Sequence, residues 1–255
     1  AKKLLSYSYT NASKTSDMLD KHSKLVEELK VLHPSKKRDV ESIVDEAKEY
    51  VKSGNNIIPF GFYPLDAPAG GMTRKEVTVI GGRPGHGKTT IIINIIRCLI
   101  EQGFQVMLFN REMSNAEMMK KFIVMESKGL SYESIRKANL TDEMTKEFDK
   151  TADLVTNKYK ENLIMYDDVR TLNEAMIEIS RYKPDVIIDD YIQLIDMTAL
   201  NSPARRHEIE RIMYEYKWIC KKEDCSAILI SQMSREIERR QDPRPRMSDY
   251  AESGV

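Results

Sequence analysis

Gly82-Arg83-Pro84-Gly85-His86-Gly87-Lys88-Thr89 satisfies the pattern GxxxxGK[ST], and its neighbours decide how it is read. Val77-Thr78-Val79-Ile80 before it is an apolar, β-branched run of the kind that forms a buried strand. Thr90 to Gln102 after it is isoleucine-rich and helical in pattern, with Gly103 placed to close the helix. A glycine-rich surface turn would need neither flank. A phosphate-cradling loop needs both, because its glycines turn backbone N–H groups inward and the following helix adds positive partial charge. Gly82, Arg83, Pro84, Gly85, His86, Gly87, Lys88, Thr89 and Thr90 are therefore the expected nucleotide-binding residues. Lys88 is expected on the β- and γ-phosphates, and the Thr89 hydroxyl on Mg²⁺.

Working outward, the same alternation recurs. Strands are predicted at Gln105 to Phe109, Leu163 to Tyr166, Val186 to Ile188 and Ala227 to Ile230. Helices are predicted at Asn115 to Ser127 behind the cap Ser114, throughout 131–160, at 171–182 and at about 205–222. Buried strands alternating with helices indicate an α/β fold, a doubly wound and mostly parallel sheet with helices on both faces. Residues 55–71, with three prolines and three glycines, read as a loop that Phe60, Phe62, Tyr63 and Leu65 staple to the core. Upstream, 15–33 reads as a short helix ended by Pro34. Asp39 to Lys52 is a second helix, striped by Val40, Ile43, Val44, Ala47 and Val51 and closed by Gly54. The division is thus a helical arm over 1–54 and a nucleotide-binding domain over 55–255.

Among 255 residues, 40 basic side chains balance 40 acidic ones, so any nucleic-acid surface must be local. Cys98, Cys220 and Cys225 lack metal-site or redox spacing, which suits a reducing cytoplasm. Apolar runs fall short of a membrane span and the polar N-terminus is unlike a signal peptide, so a soluble intracellular protein without a membrane partner is expected.

Ligands of such sheets bind beyond the carboxyl ends of the strands. Polar residues at those ends are Glu112, Asp189-Asp190 and Gln232. Hydrolysis of a phosphoanhydride needs an acid near the metal, a carboxylate to deprotonate water, and a group that senses the γ-phosphate, a task an amide such as Gln232 can do. Two assignments fit: Asp189 holds the metal with Asp190 as base, or Asp190 holds the metal with Glu112 as base. Between Arg235 and Arg246 lie Arg235, Arg239, Arg240, Arg244 and Arg246 against three acids, a composition suited to sequence-blind phosphate contact. Arg205 and Arg206 form a second candidate contact.

Six segments in order over 61–254 resemble the C-terminal RecA-like motor of DnaB-family replicative helicases. They are the lead-in from Gly61-Phe62 to Gly71, the loop Gly82 to Thr90, Asn110-Arg111-Glu112-Met113 (their SLEM), Asp190-Tyr191-Ile192-Gln193-Leu194 (their DYLQL), Ser231 to Arg235, and Met247 to Gly254 (their MSDLRESG). The resemblance implies a RecA-like P-loop NTPase fold, ATP and Mg²⁺ as cofactors, Glu112, Lys88 and Gln232 as catalytic residues, and Asp190 with Thr89 on the metal. It implies a hexameric ring of identical subunits on single-stranded DNA, working with a primase and a helicase loader in bacterial or phage-infected cytoplasm. Ala251, Glu252, Ser253 and Gly254 match its DNA-holding pore loop, with Ala251 where the family has arginine. Its trans-acting arginine finger lies on a strand beyond that segment, and residues 39–52 would be its linker helix, docked on a neighbouring motor. Asp189 departs from the family, which usually has an aliphatic residue there. The rival readings are a RecA-like ATPase of recombination or regulation without strand separation, and a nucleotide-binding scaffold without turnover.

Overall fold

The computed structural model describes residues 39–54, 56–197, 205–234, 237, 239–242, 244–246 and 248–251. The chain divides into a unit over 1–54 and a unit over 55–255. In the first, helix α1 (Val40–Ser53) starts where the Asp39 carboxylate accepts from Ser42 N at 2.8 Å, and stops at Gly54, which takes φ 64°. Its apolar residues Val40, Ile43, Val44 and Val51 are all exposed. The helix predicted at 15–33 lies outside the described residues.

The second unit begins with β1 (Ile57–Ile58), α2 (Tyr63–Ala69) and β2 (Met72–Thr73), β1 and β2 pairing antiparallel. This differs from the plain loop expected here, and the difference has a physical cause. Pro64 sits in the first turn of α2, where no N–H is needed, and the Asp66 carboxylate in that turn accepts from Phe60 N at 2.7 Å. Phe60 is buried and Phe62 and Leu65 pack on the core as predicted, but Tyr63 is 83% exposed and staples nothing.

Next come β3 (Val77–Gly82), α3 (Lys88–Glu101), β4 (Val106–Asn110), α4 (Asn115–Glu126), α5 (Tyr132–Arg136), α6 (Asp142–Tyr159), β5 (Leu163–Tyr166), α7 (Leu172–Tyr182) and β6 (Val186–Asp190). A 3-10 turn (Ile192–Leu194), α8 (Arg205–Glu223), β7 (Ser226–Gln232) and α9 (Ser248–Ala251) complete the described elements. The predicted continuous helix over 131–160 is two helices. Ala138 adopts φ 50°, and the Thr141 hydroxyl accepts from Met144 N to cap α6, a local bond that competes with continuing the helix.

The five long strands are all parallel, in the order β3-β7-β6-β4-β5. Strand geometry sends alternate side chains to opposite faces. Val106, Leu108, Val186, Ile188, Ile228 and Ile230 accordingly join one apolar cluster with α3, α4 and α6. Met107, Phe109, Ile187, Ala227 and Leu229 join the other, with α7 and α8. Both faces are covered, so the strands read as continuous apolar runs. Among the described residues no helix is long and apolar enough to cross a membrane.

Candidate nucleotide and metal site

The loop 83–87 joins β3 to α3, and its geometry follows from its glycines. Gly85 and Gly87 take φ 79° and 80°, which side-chain-bearing residues rarely adopt. A Cβ at Gly82 would come within 3.1 Å of the Lys88 side chain. Lys88 Nζ donates to Gly82 O at 3.0 Å and Arg83 O at 3.1 Å, folded back across the loop it would leave for a phosphate. Burial lowers its pKa, with Arg83 adding to the effect and Asp190 and Glu112 opposing it. The Arg83 guanidinium is buried and donates to Met233 O at 3.0 Å, tying the loop to the chain just after β7. A cavity of about 470 Å³ opens beside this loop, walled by Arg83, His86, Lys88, Met233 and Ile237 among others.

The two aspartates of β6 are separated by the strand itself. Asp190 shares the face of Ile188 and α3, and its Oδ2 accepts from Thr89 Oγ1 at 3.2 Å. Burial first, then Glu112 and Asp189, push its pKa up to about 6 against the pull of Thr89 and Lys88. Its Oδ1 is buried and has no hydrogen-bond partner among the described residues. A hydroxyl beside an unpaired carboxylate oxygen suits Mg²⁺, which takes oxygen ligands and fills its remaining positions with phosphate and water. Among the described residues no cluster of three His, Cys, Asp or Glu side chains could hold a metal ion by itself.

Asp189 points the other way. Arg111 Nε donates to its Oδ1 at 2.7 Å and an Arg111 Nη to its Oδ2 at 2.8 Å, while the Tyr216 hydroxyl donates to Oδ2. The other Arg111 Nη donates to Val169 O at 2.7 Å and Arg170 O at 3.1 Å. Burial opposes the Arg111 charge, and the Asp189 carboxylate more than offsets it, so the guanidinium pKa is raised. Asp189 is thus part of a buried ion pair under the site. The even and odd positions of Ile187-Ile188-Asp189-Asp190 already carry that separation, given a buried strand.

Glu112 leaves β4 two residues after Asn110 and is exposed, close enough to Asp190 and Lys88 to act on the charge of both. Arg111 N donates to Asp190 O at 2.9 Å, so backbone as well as side chain fixes the residue before Glu112. At the end of β7, Gln232 N donates to Gln193 Oε1 at 3.1 Å, and Gln193 Nε2 donates to Ser231 Oγ at 2.8 Å. Strand-end reading missed Gln193 as a brace for Gln232. No local pattern marks it, since its partners Ser231 and Gln232 lie 38 and 39 residues on.

The basic stretch is only partly open. Arg240 donates to Asp249 Oδ2 at 2.6 Å, and Arg246 N donates to the same oxygen at 2.7 Å, folding the stretch onto α9. Arg239, Arg244 and Arg246 are exposed, Arg244 with its Nε 3.0 Å from Asp242 Oδ1. Arg205 and Arg206 open α8 and Ala251 closes α9, but their side chains lie outside the described set, as do Arg235, Glu252, Ser253 and Gly254.

A family profile described as the DnaB-like helicase C terminal domain matches residues 58–255, most of the chain. The chain belongs to the DnaB-like helicase C-terminal domain family. Among relatives of this family, it is 26% identical over 260 residues to the replicative DNA helicase DnaC of Bacillus subtilis (strain 168), covering 96% of this chain and 56% of that protein. It is 29% identical over 205 residues to the replicative DNA helicase DnaB of Mycoplasma pneumoniae (strain ATCC 29342 / M129 / Subtype 1), covering 76% of this chain and 43% of that protein. The chain spans about half the length of these curated relatives. Among solved structures, that of a DnaB-like replicative helicase and its interactions with primase superposes with TM-score 0.74 at 26% identity, covering 91% of this chain and 57% of that one. A second solved structure, of an ATPase domain, superposes with TM-score 0.71 at 23% identity over 86% of this chain and 79% of that one, a likeness of fold.

Proposed function

We propose that this chain is the ATP-hydrolysing motor of a ring-forming replicative DNA helicase that moves on single-stranded DNA. The observation that carries the reading is the convergence of Lys88, Thr89, Asp190 and Glu112 at the carboxyl ends of three parallel strands. Lys88 would swing from its two loop carbonyls to the β- and γ-phosphates, trading neutral acceptors for charged ones. Asp190 and Thr89 would hold Mg²⁺, which when bound neutralises charge on the β- and γ-oxygens. Glu112 would take the proton of the attacking water, an effect worth about 10²–10⁴-fold. Gln232, braced by Gln193, is set to sense the γ-phosphate and pass its loss to the segment after β7, which carries the exposed arginines. The apolar stripe left exposed along α1 suits a linker helix docked on a neighbouring copy. Further copies in a hexamer, a primase, a loader and a bacterial or phage-infected cytoplasm complete the reading by family.

A labelled forked duplex with ATP and Mg²⁺ tests it. The protein is expected to release the labelled strand, and Lys88→Ala to release none. Hydrolysis stimulated by single strands without strand release would select a recombination or regulatory ATPase instead. No hydrolysis at all would sink the motor.

A further inference from the structure

One polar side chain beside the site has no role in that account. Asn110 ends β4, is 1% exposed, and has both its amide nitrogen and its amide oxygen buried without a hydrogen-bond partner among the described residues. Buried polar groups are nearly always paired, and each unpaired one costs stability, so the exception calls for a cause. Its position supplies one. Asn110 lies directly opposite Asp190 in the parallel β4–β6 ladder. Paired positions of a parallel sheet present their side chains on the same face, with backbones about 4.8 Å apart. Val106 and Leu108, which share its parity, pack into the cluster of the α3 face. The amide therefore stands on the face of Asp190, whose own Oδ1 is likewise unpaired among the described residues. Glu112 follows two residues later.

The geometry points to Asn110 as a positioning residue for water between the metal-binding acid and the general base. This rests on the metal-dependent hydrolysis proposed above. A water held by a cation there would only donate, and the Asn110 carboxamide, on the face of Asp190, would offer it a second acceptor. The attacking water must give its proton to Glu112 and can accept from Asn110 Nδ2. One carboxamide meets both needs because it carries an acceptor and a donor on one rigid plane. A pure packing role would be served better by leucine, of similar size and without polar atoms to bury.

The test compares Asn110→Leu, Asn110→Ala and Asn110→Ser in the full chain. Three quantities are read: the melting temperature without metal or nucleotide, Mn²⁺ affinity in the presence of a non-hydrolysable ATP analogue by electron paramagnetic resonance, and kcat. Asn110→Leu should raise the metal-free melting temperature, since it removes two unpaired polar atoms. It should also weaken Mn²⁺ binding about 10–100-fold, the range seen when groups that orient metal ligands are removed, and lower kcat. Asn110→Ala should repeat the Mn²⁺ loss, and it decides the matter if the leucine variant does not fold. Asn110→Ser keeps a donor and an acceptor in one hydroxyl and should stay nearer the parent in both metal affinity and kcat. Unchanged Mn²⁺ affinity and kcat in the leucine and alanine variants overturns the inference while the hydrolysis reading stands. Failure of the parent chain to bind Mn²⁺ with the analogue overturns that reading itself.

Discussion

At the scale of single residues, the alternation of a β-strand sends two chemically identical neighbours, Asp189 and Asp190, into different work. Asp190 meets Thr89 on the α3 face and keeps one oxygen unpaired; Asp189 meets Arg111 and Tyr216 on the other, with both oxygens satisfied. The Arg111 and Asp189 side chains are 4% and 0% exposed. Removing one partner strands the other charge in the core, which typically costs about 3–5 kcal/mol, whereas replacing both by apolar groups is often neutral. Arg111→Leu and Asp189→Leu alone should each lose that much in urea unfolding, and the double variant should recover most of it. Equal losses in singles and double would mean the ion pair does not hold this corner.

Elements show the same division between local and distant causes. Helix α7 is written in its own sequence: Thr171 accepts from Glu174 N, and Glu174 accepts from Thr171 N in return. The basic stretch before α9 is not. Its order comes from Asp249, a buried residue that takes Arg240 and Arg246 N on one oxygen while its carbonyl takes Ser234 N. The hydrogen bond from Arg246 N, the larger influence, and the Arg240 guanidinium together draw the Asp249 pKa down. Asp249→Ala should leave the sheet intact but free the stretch, giving faster amide exchange at Arg246 and Ser234 and quicker trypsin cleavage after Arg239, Arg240 and Arg246. Unchanged exchange and cleavage would mean the stretch is held by its other contacts.

For the whole molecule, 40 positive and 40 negative charges cancel, so affinity for a polyanion must come from where the fold gathers cations. Arg239 and Arg244 are exposed on the stretch that follows β7, the strand ending in Gln232, whereas the Arg240 side chain is mostly covered where it meets Asp249. Single-strand affinity should fall with salt, and Arg239→Ala with Arg244→Ala should flatten the log–log slope by about 1.4, two contacts at about 0.7 each. The flattening should be equal for mixed and homopolymer strands; fluorescence anisotropy across a salt series would read an unchanged slope if these arginines face something else. Much of this is legible in the sequence, because the deciding forces are local: a glycine loop needs its strand and helix beside it, apolar strands must be buried, and strand ends must carry the polar groups. Lys88 and Thr89 follow on those grounds; strand ends alone leave the roles of Glu112, Asp189 and Asp190 open, and the resemblance to the helicase family separates them. Residues that act through partners far along the chain are not legible there. Asp189 finds its meaning in Tyr216, Gln193 in Ser231, and Asn110 in its register with Asp190. Strand order and register bring those partners together, and both are fixed by packing two apolar faces at once, a condition on the whole sheet that no stretch of sequence contains.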